Sequence, residues 1–344
     1  MNRIVLAYSG GPQSSAAISW LAAEHRAQVV AVTMDFGQGG ELEELRARAL
    51  EHGAVRAHVL DLREALARDV ILPALQAGAL GGGREACLKG LAHPLLARHL
   101  AEIAAIEGTT TVAHAATDEH LGRCIRSFAP NLTVLEPARE WKAAASETPY
   151  AIDRNLAGRT IEGGALADPG QEPAEDVYAL TKPSADAPDT AAIVEITFER
   201  GVPVKINDIA MPLVDVIQCL ETIAGEHGVG RMDSAIGGPD AVTRRIVEAP
   251  ALAVLDTAHR ELQALMTPAD LAPVTSQAAA TYAELLLRGG WYSQTREAID
   301  ALVAQVQTNV TGTVKLKLFK GSCAIRGRRS KKPRASAAKL PITQ

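Results

Sequence analysis

The sequence predicts an α/β protein in two parts: a parallel-sheet domain over residues 1–145, then an α+β domain over 146–325, with a basic tail at 326–344. Three observations predict it. Short apolar runs alternate with helical spacings from Arg3 to Leu135, as strands buried on both faces do. The first run ends in Ser9-Gly10-Gly11, a turn through which backbone can approach a ligand. Beyond Trp141, apolar and polar residues alternate at 192–199 and 310–319, the pattern of antiparallel strands with one wet face.

Taken in order, Arg3–Tyr8 (RIVLAY) reads as a strand, and Ala17, Ile18, Leu21 and Ala22 mark a helix over Ser14–Glu24. Val-rich Gln28–Met34 is a second strand, Leu42–His52 a helix and Ala57–Leu60 a third strand. Pro94–Glu107 is a helix, leading to strands at Thr109–Ala113 and Leu132–Leu135. Lys142–Pro149 is a polar linker, and Asn155–Pro188 is rich in Gly and Pro with little periodicity. Ala192–Glu199 is a strand whose hairpin mate is Pro203–Asn207. Val214–Glu226, Pro250–Met266 and Gln277–Arg288 are amphipathic helices, and Val310–Phe319 closes the set as a strand. Arg326–Arg334 carries Arg, Lys and Pro without an apolar face, so it reads as a disordered, solvated tail rather than a nucleic-acid patch.

The chain has 344 residues, enough for two cores, since single cores seldom exceed roughly 250–300 residues. Its net charge of -5 speaks against a dedicated nucleic-acid binder, which carries a basic surface. Cys87, Cys124, Cys219 and Cys323 form no CxxC pair, which predicts reduced thiols in a cytoplasmic protein and no zinc site. No apolar stretch approaches the ~18 residues of a membrane span, and the N-terminus has no secretory h-region.

The strand–Ser9-Gly10-Gly11-Pro12-Gln13-Ser14-Ser15–helix segment carries the most chemistry. Free N–H groups and the positive dipole end of the helix make a pyrophosphate seat, and three serines add hydroxyls. A tight strand–helix turn needs the same glycines. The loop lacks the Lys of a Walker A motif and the third Gly of a dinucleotide fingerprint. Asp35-Phe36-Gly37-Gln38 ends the next strand at the same sheet edge, where open α/β sheets bind ligands.

AYSGG at 7–11, FGQ at 36–38, VAHAAT at 112–117, PYAIDRNLAGRTIEGGALADP at 149–169, VYALTKP at 177–183, FERGVPVKIN at 198–207, IAGEHGVGRMD at 223–233, AHREL at 258–262 and VTGTVKLKLFKGS at 310–322 together resemble argininosuccinate synthases. The resemblance covers nearly the whole chain, in order. It implies an ATP pyrophosphatase-type (adenine nucleotide alpha hydrolase-like) domain, a synthetase domain and a homotetramer acting on small molecules, with no nucleic-acid or membrane partner. In the implied reaction a ureido oxygen of citrulline attacks the α-phosphorus of ATP and expels pyrophosphate, and the aspartate amine then displaces AMP. ATP is the implied cofactor, with Mg²⁺ beside it. Nucleotide contacts fall on Ala7, Tyr8, Ser9, Gly10, Gly11, Gln13, Ser14, Ser15, Asp35, Phe36, Gln38, His114 and Ala115. Substrate contacts fall on Glu85, Lys89, Thr117, Arg126, Asp153, Thr160 and Glu162. No catalytic residue and no metal ligand is assigned.

Against the family pattern several groups differ. Gln13 stands where the family has Asp, which lowers the expected metal affinity because hard cations prefer charged oxygens. Glu85, Lys89, Gly90 and His93 replace a Tyr, Thr, Ser and Arg. Leu121, Gly122 and Ile125 replace Asn, Asp and Arg, with Arg126 next door as a substitute. Ala151 and Thr160 replace serines, and Ile236 and Val247 replace Glu and Tyr. These changes gather on the amino-acid clamps. His114 reads as a strand-end residue or a general base, Asp153 and Asn155 as substrate contacts or turn formers, and Arg231 with Asp233 as a structural pair. Lys89 holds a carboxylate or phosphate, or is a solvated lysine. Three functions stay open: a ligase with a non-standard acceptor, a nucleotide-binding non-catalytic paralogue, and an ordinary synthase with rearranged ligands.

Overall fold

Apolar runs too short for helices and flanked by Gly or polar residues build the first sheet from β1 (Arg3–Ala7), β2 (Gln28–Asp35), β3 (Arg56–Asp61), β4 (Thr111–His114) and β5 (Thr133–Leu135). The order is β3-β2-β1-β4-β5 and every pairing is parallel. The computed structural model describes residues 2–83, 85–116, 119–140, 150–237 and 242–330. Strand alternation sends Ile4 and Leu6 to one face and Val5 to the other. On the first face they pack on Ala17, Ile18 and Leu21 of α1 (Pro12–His25) and Ala49 of α2 (Leu42–Glu51). The other face is covered by α3 (Arg63–Leu66), a π turn at Ala67–Ile71, α4 (Leu72–Gln76) and α5 (His93–Ile106). α6 (His120–Phe128) and α7 (Pro137–Glu140) follow β4 and β5. The expected doubly covered parallel sheet is therefore present.

The second part is antiparallel. β6 (Ala151–Asn155) and β7 (Gly158–Glu162) form a hairpin; β8 (Ala192–Glu199), β9 (Val202–Ile206) and β10 (Ile209–Ala210) form a meander. After α8 (Leu213–Glu226) come β11 (Arg231–Gly237), β12 (Val242–Glu248), α9 (Pro250–Met266), α10 (Ala272–Leu287), α11 (Gln294–Gln307), β13 (Gly312–Phe319) and β14 (Ser322–Ser330). Two sheets result, β10-β9-β8-β13-β14 and β11-β12-β7-β6.

Two expectations are corrected. Residues 155–188 hold a strand, because Asn155 Oδ1 accepts from the Ala157 N–H and closes a two-residue turn onto Gly158. Gly158 has φ +133°, and a Cβ there would stand 2.3 Å from the Glu248 carbonyl, so glycine is required. The expected disordered tail does not begin at Arg326: Arg326–Ser330 continue β14, paired with β13, and Arg328 is ion-paired with Glu261 of α9. Arginines hid a strand that lies at the sheet edge. Residues 331–344 lie outside the described residues.

A buried polar knot joins the two parts. His259 shares a hydrogen bond of 2.9 Å with Gln307 Oε1, and Gln307 Nε2 donates to the Gln76 carbonyl (2.9 Å) and Gln263 Oε1 (2.8 Å). Burial lowers the His259 pKa to about 4, against a raising effect from Gln307. Its folded pKa lies below the unfolded ~6.5, so stability is full above that pH and falls as protons bind the unfolded chain first. We expect a loss of roughly 1 kcal/mol by pH 5.5, rising to roughly 3 kcal/mol near pH 4. Urea unfolding at pH 7.5 and 5.5 checks this, and His259→Gln should flatten that part of the profile.

Candidate active site

β1 leaves the sheet at its carboxyl edge through Ser9, Gly10 and Gly11. Gly10 has φ +78°, a conformation open to glycine, and α1 begins at Pro12, whose missing N–H costs nothing at that position. No side chain caps the helix, so its first amides point at the loop. The serine hydroxyls are occupied in shaping it: Ser14 Oγ donates to the Gly11 carbonyl (3.0 Å), Ser9 Oγ to Ser14 Oγ (3.2 Å), and Ser15 pairs with the Tyr8 hydroxyl (3.0 Å). Leu45 and Arg48 of α2 brace the turn from outside, Arg48 donating to the Gly10 carbonyl at 3.1 Å. The cradle is thus made mainly of backbone N–H groups, the usual seat of phosphate.

The neighbouring loop is knitted to itself. Asp35 Oδ1 accepts from the Gly37 N–H, Gln38 Oε1 from the Phe36 N–H, and Gln38 Nε2 donates to the Met34 carbonyl. Arg63 lies 3.4 Å from Asp35, and the Phe36 carbonyl accepts from Leu156 N–H, linking this edge to the β6–β7 turn. Asp35 and Gln38 therefore fix the loop's shape. His114 ends β4 beside Ala7, buried, with Ala115 following it.

The substrate-side residues fall into three places. Lys89 Nζ lies 3.1 Å from Glu162 Oε2, and Arg245 of β12 pairs with Glu162 Oε1. Thr160 faces Val247 across β7 and β12 and Asp153 across β6 and β7; Thr160 and Val247 are buried and Asp153 is exposed. Arg126 pairs with Glu136 near His114. Glu85 opens the short turn Glu85–Gly90. Thr117 and the side chains of Glu85 and Ile236 lie outside the described residues. Arg231 and Asp233 do not pair with each other: Arg231 holds Glu175 and Thr181, and Asp233 holds Arg244.

Sequence reasoning missed Glu136, Arg245 and Glu248. Glu136 directly follows a strand at the carboxyl edge, which is the signal that points to it. Glu248 is fully buried and accepts from the N–H groups of Ala179, Leu180 and Thr181, the Thr181 hydroxyl and Arg159. It straps segment 177–181 onto β12. Among the described residues, no group of His, Cys, Asp and Glu could hold a metal ion, and no helix is long and apolar enough to cross a membrane.

A parallel sheet with an uncapped glycine loop at its carboxyl edge is the architecture of nucleotide-binding domains of the ATP pyrophosphatase type. Residues 3–156 match the model of the arginosuccinate synthase N-terminal HUP domain, and residues 150–337 that of the arginosuccinate synthase C-terminal domain. The chain belongs to the argininosuccinate synthase family. It is 42% identical to the argininosuccinate synthase of Synechococcus elongatus over 95% of this chain and 88% of that one. The corresponding protein of Rubrobacter xylanophilus is 40% identical over 98% of this chain and 87% of its own length. Among solved structures, NAD+ synthetase from Burkholderia pseudomallei matches 39% of this chain and 53% of its own at 24% identity and a TM-score of 0.24, too little to carry an argument.

Proposed function

We propose that the protein is an ATP-dependent, AMP- and pyrophosphate-forming C–N ligase of the argininosuccinate synthase type whose amino-acid site takes an acceptor other than citrulline. Residues 1–145 form its nucleotide domain and the following residues its synthetase domain, in a homotetramer. The observation that carries the altered acceptor is the Lys89–Glu162–Arg245 group: charges that could meet an amino acid meet each other, beside a buried Val247. Breaking such a pair to admit a zwitterion costs several kcal/mol.

ATP supplies the leaving group that activates the acceptor. The chain's part is to seat the phosphates on the amides at the start of α1, with Gln13 beside them, and to hold both reactants in line. With Gln13 in place of a carboxylate, the chain would offer a metal bound with the phosphates only a neutral amide oxygen here. Gln13→Asp should tighten Mg²⁺ in the nucleotide complex by on the order of tenfold. Titrating Mg²⁺ against ATP-loaded protein measures this.

The test of the main reading is AMP and pyrophosphate release by the purified chain with a panel of ureido, amide and carboxylate acceptors. Release stimulated by an acceptor other than citrulline supports it. No stimulation by any acceptor leaves the non-catalytic reading, favoured by Gln13. The ordinary synthase is favoured by the identity near 40% along the whole chain. Growth of a synthase-deficient strain without arginine would establish it.

A further inference from the structure

The basic run that ends the sequence lies outside the candidate active site. Residues 301–344 contain ten Lys and Arg and no Asp or Glu, so the net charge of -5 combines +10 there with -15 over the first 300 residues. A net charge describes the whole surface, whereas a partner meets one face of it.

The fold sorts these cations by strand alternation. β13 lies between β8 and β14, and its Val314, Leu316 and Leu318 are fully buried on the side of α9. Thr313, Lys315, Lys317 and Phe319 stand on the opposite, outer face. Lys205 of β9, opposite Thr197, and Arg329 of β14, opposite Thr313, share that face; the two threonine hydroxyls lie 3.2 Å apart. Arg326 is exposed where the register of β14 shifts.

Ion pairing separates the two sides. Arg328, on the inner side, pairs with Glu261, and Lys320, in the β13–β14 turn, lies 2.6 Å from Asp189. Lys205, Lys315, Lys317, Arg326 and Arg329 form no ion pair among the described residues. The acids of β8 on this face are Glu195, opposite Lys315, and Glu199, which leaves positive charge in excess. Phe319 is partly exposed there, with Lys317 Nζ 5.3 Å and Lys320 Nζ 5.8 Å from its ring centroid.

Unpaired cations held by a sheet around an aromatic ring offer donors to phosphates and a platform on which a base stacks. We propose that the outer face of β9, β8, β13 and β14 binds single-stranded nucleic acid without base preference, with Lys331, Lys332 and Arg334 adding to its charge. Lys315, Lys317 and Arg329 meet phosphates, and Phe319 stacks against a base. The proposal is independent of the ligase reading, since the phosphate loop belongs to another sheet. A duplex offers phosphates but no free base, so it should bind less well.

The experiment is fluorescence anisotropy of the full chain with labelled dT and rU oligomers of about 20 nucleotides, at about 50 and 200 mM salt. Both oligomers should bind, and binding should weaken by roughly ten- to fiftyfold between the two salt concentrations, through counterion release. Lys315→Glu with Lys317→Glu should weaken binding by roughly tenfold or more at the lower salt and flatten the salt dependence. Phe319→Ala should weaken it by roughly fivefold or more and leave the salt dependence unchanged. Arg46→Glu with Arg68→Glu makes the same change in net charge on the first part of the chain and should bind within about twofold of the wild type. Thermal melting by circular dichroism confirms that each variant is folded. The proposal is overturned if the wild type binds neither oligomer at the lower salt, if the Arg46/Arg68 pair loses as much as the Lys315/Lys317 pair, or if a duplex of equal length binds as tightly. Binding to phosphatidylserine vesicles without binding to either oligomer assigns the face to a lipid surface and overturns it as well.

Discussion

Replacing Glu248 by Ala is expected to lower the unfolding free energy by about 3–5 kcal/mol. The carboxylate is wholly buried and accepts from five donors, the amides of Ala179, Leu180 and Thr181, the Thr181 hydroxyl and Arg159. Removing it strands the Arg159 guanidinium, 3.1 Å away and itself largely buried, and leaves the three amides of Ala179–Thr181 without their acceptor. Each loss is of the costly kind, an unsatisfied buried group rather than a missing surface contact. Glu248→Gln keeps an acceptor oxygen and should cost less, about 1–3 kcal/mol. Arg231 steadies the same strap through Thr181 and by stacking 3.7 Å from the Tyr178 ring, so the segment should loosen locally before the sheets do. Urea unfolding gives the magnitude, and hydrogen exchange at 179–181 gives the place. A change below 1 kcal/mol for the Ala variant would contradict this account of the strap.

Gly10→Ala should abolish most nucleotide binding, by on the order of a hundredfold, while leaving the fold in place. Two effects add. The residue sits at φ +78°, which costs an L side chain roughly 1–2 kcal/mol. The new Cβ would also meet Leu45 Cδ2 at 2.2 Å and crowd the Arg48 contact with the Gly10 carbonyl. The loop relieves both by turning, and its amides then miss the phosphate. Gly10→Ala with Leu45→Ala removes the clash but keeps the backbone strain, so it should recover only part of the affinity. Titration of each variant with ATP, with circular dichroism as the fold control, separates the two terms. Wild-type affinity in Gly10→Ala would show that the loop does not seat the nucleotide.

The first sheet was legible because its inner strands β2, β1 and β4 are buried on both faces, and apolar runs such as Val5–Ala7 and Val29–Met34 have no other stable use. The second part was legible only where a sheet has one wet face, as in β8 and β13. β7 hid behind Gly158, which allows the close approach of Glu248's carbonyl, and β14 behind arginines that face solvent or pair with Glu261. The region of β11 and β12 gave no clean alternation, since Arg244 and Arg245 point to opposite faces and both find carboxylates, Asp233 and Glu162. For the site, residue identity along the chain showed which groups differ from the family, but not what they do instead. That Lys89 and Arg245 share Glu162, or that Glu136 approaches the space beside Gly122, depends on pairings between segments 73 or 14 residues and more apart. Such pairings come from the fold.

The most direct test of the central claim is one titration series on the intact wild-type chain: ATP with Mg²⁺, followed by L-citrulline. Saturable ATP binding is expected, with Kd on the order of micromolar, and no heat from citrulline. Absence of ATP binding would contradict the nucleotide site, and tight citrulline binding would contradict the altered acceptor and return the chain to the ordinary synthase reaction.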